Sequence, residues 1–247
     1  MDVNIRHLNV WYAHCDELTV EQAIEFGEDE IVWPKLDFVP PMQRRRLSPF
    51  AKMALLVANN AVSGVTKDLP IVFSSRHGDL PKTSKLLADL ADKNALSPTA
   101  FGLSVHNAIP SLFSILTNNK QAINAISAGQ DSFMMALIDI YVRLKSGLAE
   151  EVLFIYADQK LPKTYLGFQD ERQLSHAIAM VISLPSEQKH AANEGNIAFN
   201  FKYFLQSSTT SMPASLRFAQ WYNSHQQETV LSSSNYNWFL SKYATTA

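Results

Sequence analysis

The chain has 247 residues, a formal charge of -2, 47% apolar residues and 18% charged ones. That is ample apolar material for a core, arranged as one large domain or two small ones. The near-neutral balance argues against a general nucleic-acid binder, which would carry a basic face. The charged fraction lies below the usual ~25%, so either a partner covers part of the surface or the composition simply varies. Cys15 is the single cysteine, which excludes an intrachain disulfide and a cysteine-rich metal site. Its neighbours Asp16 and Glu17 would raise a thiol pKa. No metal and no cofactor is expected. The opening MDVNIRHLNV has neither the basic start nor the apolar stretch of a signal peptide. No run reaches the ~18–20 apolar residues of a membrane span. A cytoplasmic protein is expected.

In chain order, Ile5 to Tyr12 is apolar and β-prone, and Thr19 to Phe26 reads as a short capped helix. Three prolines make 33–41 irregular. Ser48-Pro49 reads as an N-cap with proline in the first turn of a helix running to about Val62. A buried strand over Pro70–Ser74 feeds a polar, glycine-containing turn and a helix around Pro81–Lys93. Ser97-Pro98 opens a further helix carrying Phe101, Val105, Ile109 and Phe113. QAINAIS (121–127) reads as a strand, AGQD as a tight turn, Ser132–Lys145 as a helix ended by Gly147, and EVLFIYAD (151–158) as an apolar strand. Strand, helix and strand in that order form a βαβ unit, which implies parallel pairing. Beyond it, HAIAMVISL (176–184) reads as a strand for which an antiparallel direction is open, Ala214–His225 as a helix, and 207–213 and the last four residues as loop and tail. There is no internal repeat.

The segment INAISAGQDSFMMAL carries the functional argument. A strand ending in a sharp turn that opens a helix holds one side chain at a helix N-terminus, where the dipole and free N–H groups favour an anion. Nucleophilic cysteines sit at such places because the thiolate is the reactive form. Here the position belongs to Gln130, whose amide can neither form a thioester nor act as a base; a polar cap on a buried turn is the plainer alternative.

The stretch from about Leu69 to Asp158 resembles the N-terminal half of β-ketoacyl synthases. The resemblance rests on IVFSSRHGDL, SPTAFGLSVHN, SAGQDSF and SGLAEEVLFIYAD in order, with RRRLSPFAKMAL (44–55) before them. It implies a thiolase-like α/β fold with a mostly parallel sheet flanked by helices. The expectation is a single ketosynthase-like domain over 1–247, clearest over 44–158 and divergent over 159–247. Glutamine at the nucleophile position resembles the chain-length factors, the inactive partners of ketosynthases, and the half-size chain resembles those of aryl-polyene-type clusters. Condensing enzymes of the family also use two histidines in their C-terminal half. Beyond 158 this sequence has only His176, His190 and His225, with no recognisable motif around any of them.

The resemblance also assigns candidate residues. Leu80, Thr83 and Leu87 align with a gate closing the acyl tunnel and share one helix face by spacing; Leu80 and Leu87 equally suit a core. Phe101, His106, Phe113, Phe133 and Met134 suit a tunnel wall, a subunit interface or plain core. Arg44, Arg45 and Arg46 suit either an acidic carrier protein or a solvated loop. His77 and Asp79 in SSRHGD lack any nucleophile-elbow pattern and read as a turn network. The expected function is a non-catalytic chain-length factor. It would pair with an active ketosynthase during malonyl-based elongation of acyl chains held on the phosphopantetheine of an acyl carrier protein. The alternatives are a malonyl-carrier decarboxylase using Gln130 and a ketosynthase-like carrier-binding protein.

Overall fold

The structure is a computed structural model and describes residues 1–13, 20, 23, 31–185, 195–203 and 212–243. Cys15, His190, most of the helix expected over Thr19–Phe26, most of 207–213 and the four-residue tail lie outside the described residues. One eight-stranded sheet is formed by β1 (Asp2–Tyr12), β2 (Ile71–Ser74), β3 (Ile123–Ile126), β4 (Glu151–Asp158), β5 (His176–Ser183), β6 (Gly195–Tyr203), β7 (Glu228–Ser232) and β8 (Tyr236–Tyr243). The strand order is β3-β2-β4-β5-β1-β6-β8-β7.

The expected mostly parallel sheet is corrected to a mixed one. Parallel pairing is confined to β3-β2-β4, and every other ladder is antiparallel. The βαβ inference holds for its own segment, since β3 and β4 both run parallel to β2 and flank it. It does not extend to 176–243, where neighbouring strands are joined without crossover helices between parallel partners. The antiparallel direction considered for 176–184 is the one found.

Helices cover both faces of the sheet. Helix α1 (Pro41–Arg44) is a single turn, and α2 (Pro49–Ala61) starts as its sequence dictates, with Ser48 Oγ accepting from the N–H of Ala51 at 3.1 Å. With α5 (Ala108–Thr117), α2 packs on one face against Phe73, Leu153, Ile155, Ala179 and Val181. Helix α6 (Ser132–Lys145), stopped by Gly147 at φ 72°, packs on the other face with α7 (Ala214–Asn223), against Val72, Phe154, Met180 and Ile182. Successive β4 side chains thus enter opposite cores, which is why that strand is a continuous apolar run.

Strands β6 and β8 make side-chain contacts with α6 and the turn before it. Trp238 of β8 donates its indole N–H to Asp131 at 2.7 Å, and Phe199 of β6 meets Tyr141 of α6 with ring centroids 6.4 Å apart. The N-terminus of α6 is therefore enclosed by strands distant in sequence.

The helix expected from Ser97-Pro98 is broken in two, α4 (Pro98–Gly102) and α5. Gly102 is a poor helix former, and Phe101 and Val105, 58% and 42% exposed, find no interior that would reward continuing it. Helix α3 (Leu80–Ala91) buries one side chain, Leu86.

Candidate functional site

The three parallel strands end on the same edge of the sheet, the edge where open α/β sheets bind their ligands. There lie the turn Ser75–Gly78 after β2, the turn Ser127–Asp131 after β3, and Asp158, the last residue of β4. Gly129 at φ 60° makes the second turn sharp enough to lift Gln130 at the mouth of α6. Ser132 tightens it further, its Oγ accepting from the N–H of Ala128 at 2.9 Å and donating to the Gly129 carbonyl at 2.7 Å.

Gln130 is half-buried. Its Oε1 accepts from the N–H of Ser234, in the turn between β7 and β8, at 2.8 Å. Its side chain also lies near Asp170. Asp170 in turn accepts from Arg76 at 2.6 Å, and the other nitrogen of that guanidinium meets Glu171 at 3.0 Å. Arg76 thereby joins the turn after β2 to the loop between β4 and β5, and its carbonyl accepts from Ser127 Oγ at 3.1 Å, which ties in the Gln130 turn.

The electrostatics follow from one cation facing several partly buried carboxylates. Burial pushes Glu171 from 4.5 up to about 7, against the attraction of Arg76. The hydrogen bond from Arg76 holds the more exposed Asp170 below its usual range. Burial works against the charge on Arg76, yet the bonds and charges of Asp170 and Glu171 keep it protonated and raise its pKa.

Asp158 organises the turn after β2. It accepts from Ser75 Oγ at 2.9 Å, from the N–H of Arg76 at 3.0 Å, from the N–H of His77 at 3.2 Å and from the hydroxyl of Tyr156. Burial, and then the charge of Asp158, keep the Tyr156 phenol protonated. Ser215 of α7 lies 2.6 Å from His176 Nε2, and the His176 ring lies against Tyr156 with centroids 5.7 Å apart. A carbonyl only accepts, so His176 Nδ1, 2.7 Å from the Leu174 oxygen, carries the proton and Nε2 receives the Ser215 hydroxyl. Burial lowers the pKa of His176, in keeping with that neutral ring. His77 is lowered by burial as well, and its Nε2 has no hydrogen-bond partner among the described residues.

The other candidates are dispersed. His106 donates Nε2–H to the Ile126 carbonyl at 3.1 Å and its ring lies against Phe73, next to Gly78. Phe113 is in the core under α2, whereas Phe133 and Met134 are in the core on the other face. Phe101 is exposed on α4. Leu80 and Thr83 are half-buried, and Leu87 is 50% exposed. With Leu90, Leu96, Phe101 and Val105, Leu87 belongs to an exposed apolar set on 87–105. Arg44 pairs with Asp37 at 3.0 Å, while Arg45 and Arg46 are exposed. His225 is exposed and lies outside this cluster. The network around Arg76 escaped the sequence reading because Asp158, Asp170 and Glu171 sit 82 to 95 residues from Arg76. A buried-strand carboxylate in EVLFIYAD was the one available signal.

Among the described residues no cluster of His, Cys, Asp and Glu has metal-binding geometry, and no helix is long and apolar enough to cross a membrane. A cavity of about 390 Å³ lies elsewhere, bordered by Met1, Asn200, Val230 and Phe239, and none of the candidates borders it.

A search of curated protein sequences returns no match. Among solved structures, the chain resembles one described as the ketosynthase (ApeO) in complex with its chain length factor (ApeC) from Xenorhabdus doucetiae, at 22% identity and TM-score 0.80. That alignment covers 98% of this chain and 99% of the other, so the two are of nearly equal length. The ishigamide ketosynthase/chain length factor matches at 11% identity and TM-score 0.62 over 83% and 68% of the two chains. A β-ketoacyl synthase from Burkholderia phymatum matches at 13% and TM-score 0.59, over 81% and 64%. At these identities the likeness shows the fold, which is thiolase-like. The family model for the N-terminal domain of β-ketoacyl synthase matches residues 19–240, well beyond the 44–158 stretch of clearest resemblance. The chain belongs to the β-ketoacyl synthase family, through its N-terminal domain.

Proposed function

We infer that this chain is a chain-length factor, a single ketosynthase-like domain that pairs with an active ketosynthase and shapes the tunnel holding a growing acyl chain. The carrying observation is Gln130. An amide stands on the turn where the fold would place a nucleophile, and its oxygen is engaged by Ser234. Glutamine offers no thiolate, so the carbon–carbon bond would be formed on the partner.

Two further observations support the pairing. Helix α3 and the segment after it expose the apolar side chains Leu87, Leu90, Leu96, Phe101 and Val105, which a partner surface would cover. Strand β3 is an edge strand whose four residues are half-buried, so its outer backbone groups are open to a partner. The nearly equal length of the matched chain in the ketosynthase–chain length factor structure agrees with this reading. Within it, Leu80, Thr83 and Leu87 line the gate, and the exposed Arg45 and Arg46 face an acidic acyl carrier protein. The whole assembly is cytoplasmic.

The decarboxylase alternative needs several preorganised donors around a developing enolate, and Gln130 supplies a single amide whose oxygen is already engaged by Ser234. The test is elongation of malonyl carrier protein by the ketosynthase with and without this chain, read by mass spectrometry. Product length should depend on its presence. Release of carbon dioxide by the purified chain alone would favour the alternative. Unchanged products with carrier binding would leave only a carrier-binding role.

A further inference from the structure

We propose that Asp158 is the positioning residue for α3, fixing the turn from which that helix starts and with it the depth a bound chain can reach. The inference rests on the gate reading of Leu80, Thr83 and Leu87.

Helix α3 has little on its own chain to hold it. Leu86 is its one buried side chain, and Leu87 and Leu90 are half or more exposed. Its place is therefore set at its N-terminus, by the turn Ser75–Gly78. The Asp158 carboxylate gathers three groups of that turn, Ser75 Oγ–H and the N–H groups of Arg76 and His77. Ser75 Oγ then accepts the N–H of Gly78 at 2.7 Å. Gly78 is at φ 61°, the left-handed region that glycine enters without strain, and it lies beside the His106 ring. Asp79 follows at the start of α3, its carboxylate 3.3 Å from the Lys82 ammonium.

The carboxylate itself is what the site requires. All four groups that meet it are donors, the fourth being the Tyr156 hydroxyl. An asparagine of the same shape would put an NH₂ among them and leave at least one buried donor unpaired. From behind, Tyr156 packs against His176, ring centroids 5.7 Å apart, and His176 is bonded to Ser215, so the position of Asp158 is referred to β5 and α7 as well.

The experiment uses the purified complex with its ketosynthase and the variants Asp158→Asn, Ser75→Ala and Leu87→Trp. Hydrogen–deuterium exchange is followed over 75–91, with 132–145 as internal reference, and product lengths are read by mass spectrometry. Asp158→Asn should speed exchange over 75–91 roughly tenfold or more, leave α6 unchanged and broaden the product distribution. Ser75→Ala should do the same more mildly, and it decides the matter should the first variant not assemble. Equal loosening of α6 would make Asp158 a general stabilising residue and overturn the inference. A product shift with Leu87→Trp but none with the other two would overturn it while leaving the gate reading intact. No shift with any of the three, in intact complexes, removes the gate reading and this inference with it.

Discussion

Gln130 and Ser234 are 104 residues apart in sequence and joined by a 2.8 Å hydrogen bond from backbone N–H to side-chain oxygen. The bond seats the β7–β8 turn on the mouth of α6, so Gln130 links the C-terminal strands to the site. Gln130→Ala should lower stability by about 1 kcal/mol, the net value of a typical hydrogen bond, and leave elongation by the complex largely intact. A loss of ~100-fold or more in elongation, the size expected for a key oxyanion donor, would instead promote the decarboxylase. Gln130→Cys should not gain condensing activity when radiolabelled malonyl units are supplied without the ketosynthase.

Arg76 is 12% exposed and balances Asp170 and Glu171. Arg76→Met leaves both carboxylates without their cation. Removing one partner of a buried pair costs ~3–5 kcal/mol, and the half-exposed Asp170 reduces that here. A loss of roughly 2–3 kcal/mol is expected in urea unfolding at pH 7.5, and an unchanged midpoint would show that the cluster contributes little.

Glu171 gives a pH signature. Its folded pKa of about 7 lies above its ordinary 4.5, so the native state binds the proton more tightly than the unfolded one. The favourable contribution is complete below about 4.5 and is lost as pH rises through about 7. Asp170 has the opposite sign, and its contribution fades only below the usual carboxylate range. Thermal unfolding between pH 5 and 8 should therefore show a decline that Glu171→Gln flattens. The same slope in wild type and variant would assign the decline to other groups.

The proposed gate predicts a product change without disassembly. Leu and Thr are smaller than aromatic gate residues, so the wild-type tunnel should admit a comparatively long, thin chain. Thr83→Phe and Leu87→Trp should shorten the carrier-bound products, because overpacking one wall costs only ~1–3 kcal/mol. Thr83 is half-buried and donates to the Asp79 carbonyl at 3.1 Å, so Thr83→Phe also loses that bond. Leu87, exposed on this chain, is the cleaner probe. Identical length distributions from both variants would remove them from the gate.

Local signals served the sequence reading well. Ser48 and Ser97 cap the helices they were expected to open, and Gly147 ends α6. The AGQD turn stands where its strand and helix placed it. Pairing direction was less legible. A continuous apolar strand such as β4 looks the same beside a parallel or an antiparallel neighbour, and the mixed sheet came out as mostly parallel. The Phe101–Val105 stretch was read as a continuous helix because periodicity alone does not say whether an interior exists to receive it. The Arg76–Asp170–Glu171 cluster and the Asp158 turn were invisible because long-range polar contacts leave no spacing in the chain.

The central claim is that this chain acts as the partner of an active ketosynthase, and co-expression followed by gel filtration with light scattering tests it most directly. An obligate interface of more than ~2,000 Å² in total is expected, covering the apolar residues around Leu87 and the edge of β3. The predicted result is a one-to-one complex that persists at nanomolar concentration, with little of this chain recovered alone. A stable monomer that elutes separately from the ketosynthase at every concentration would contradict the account.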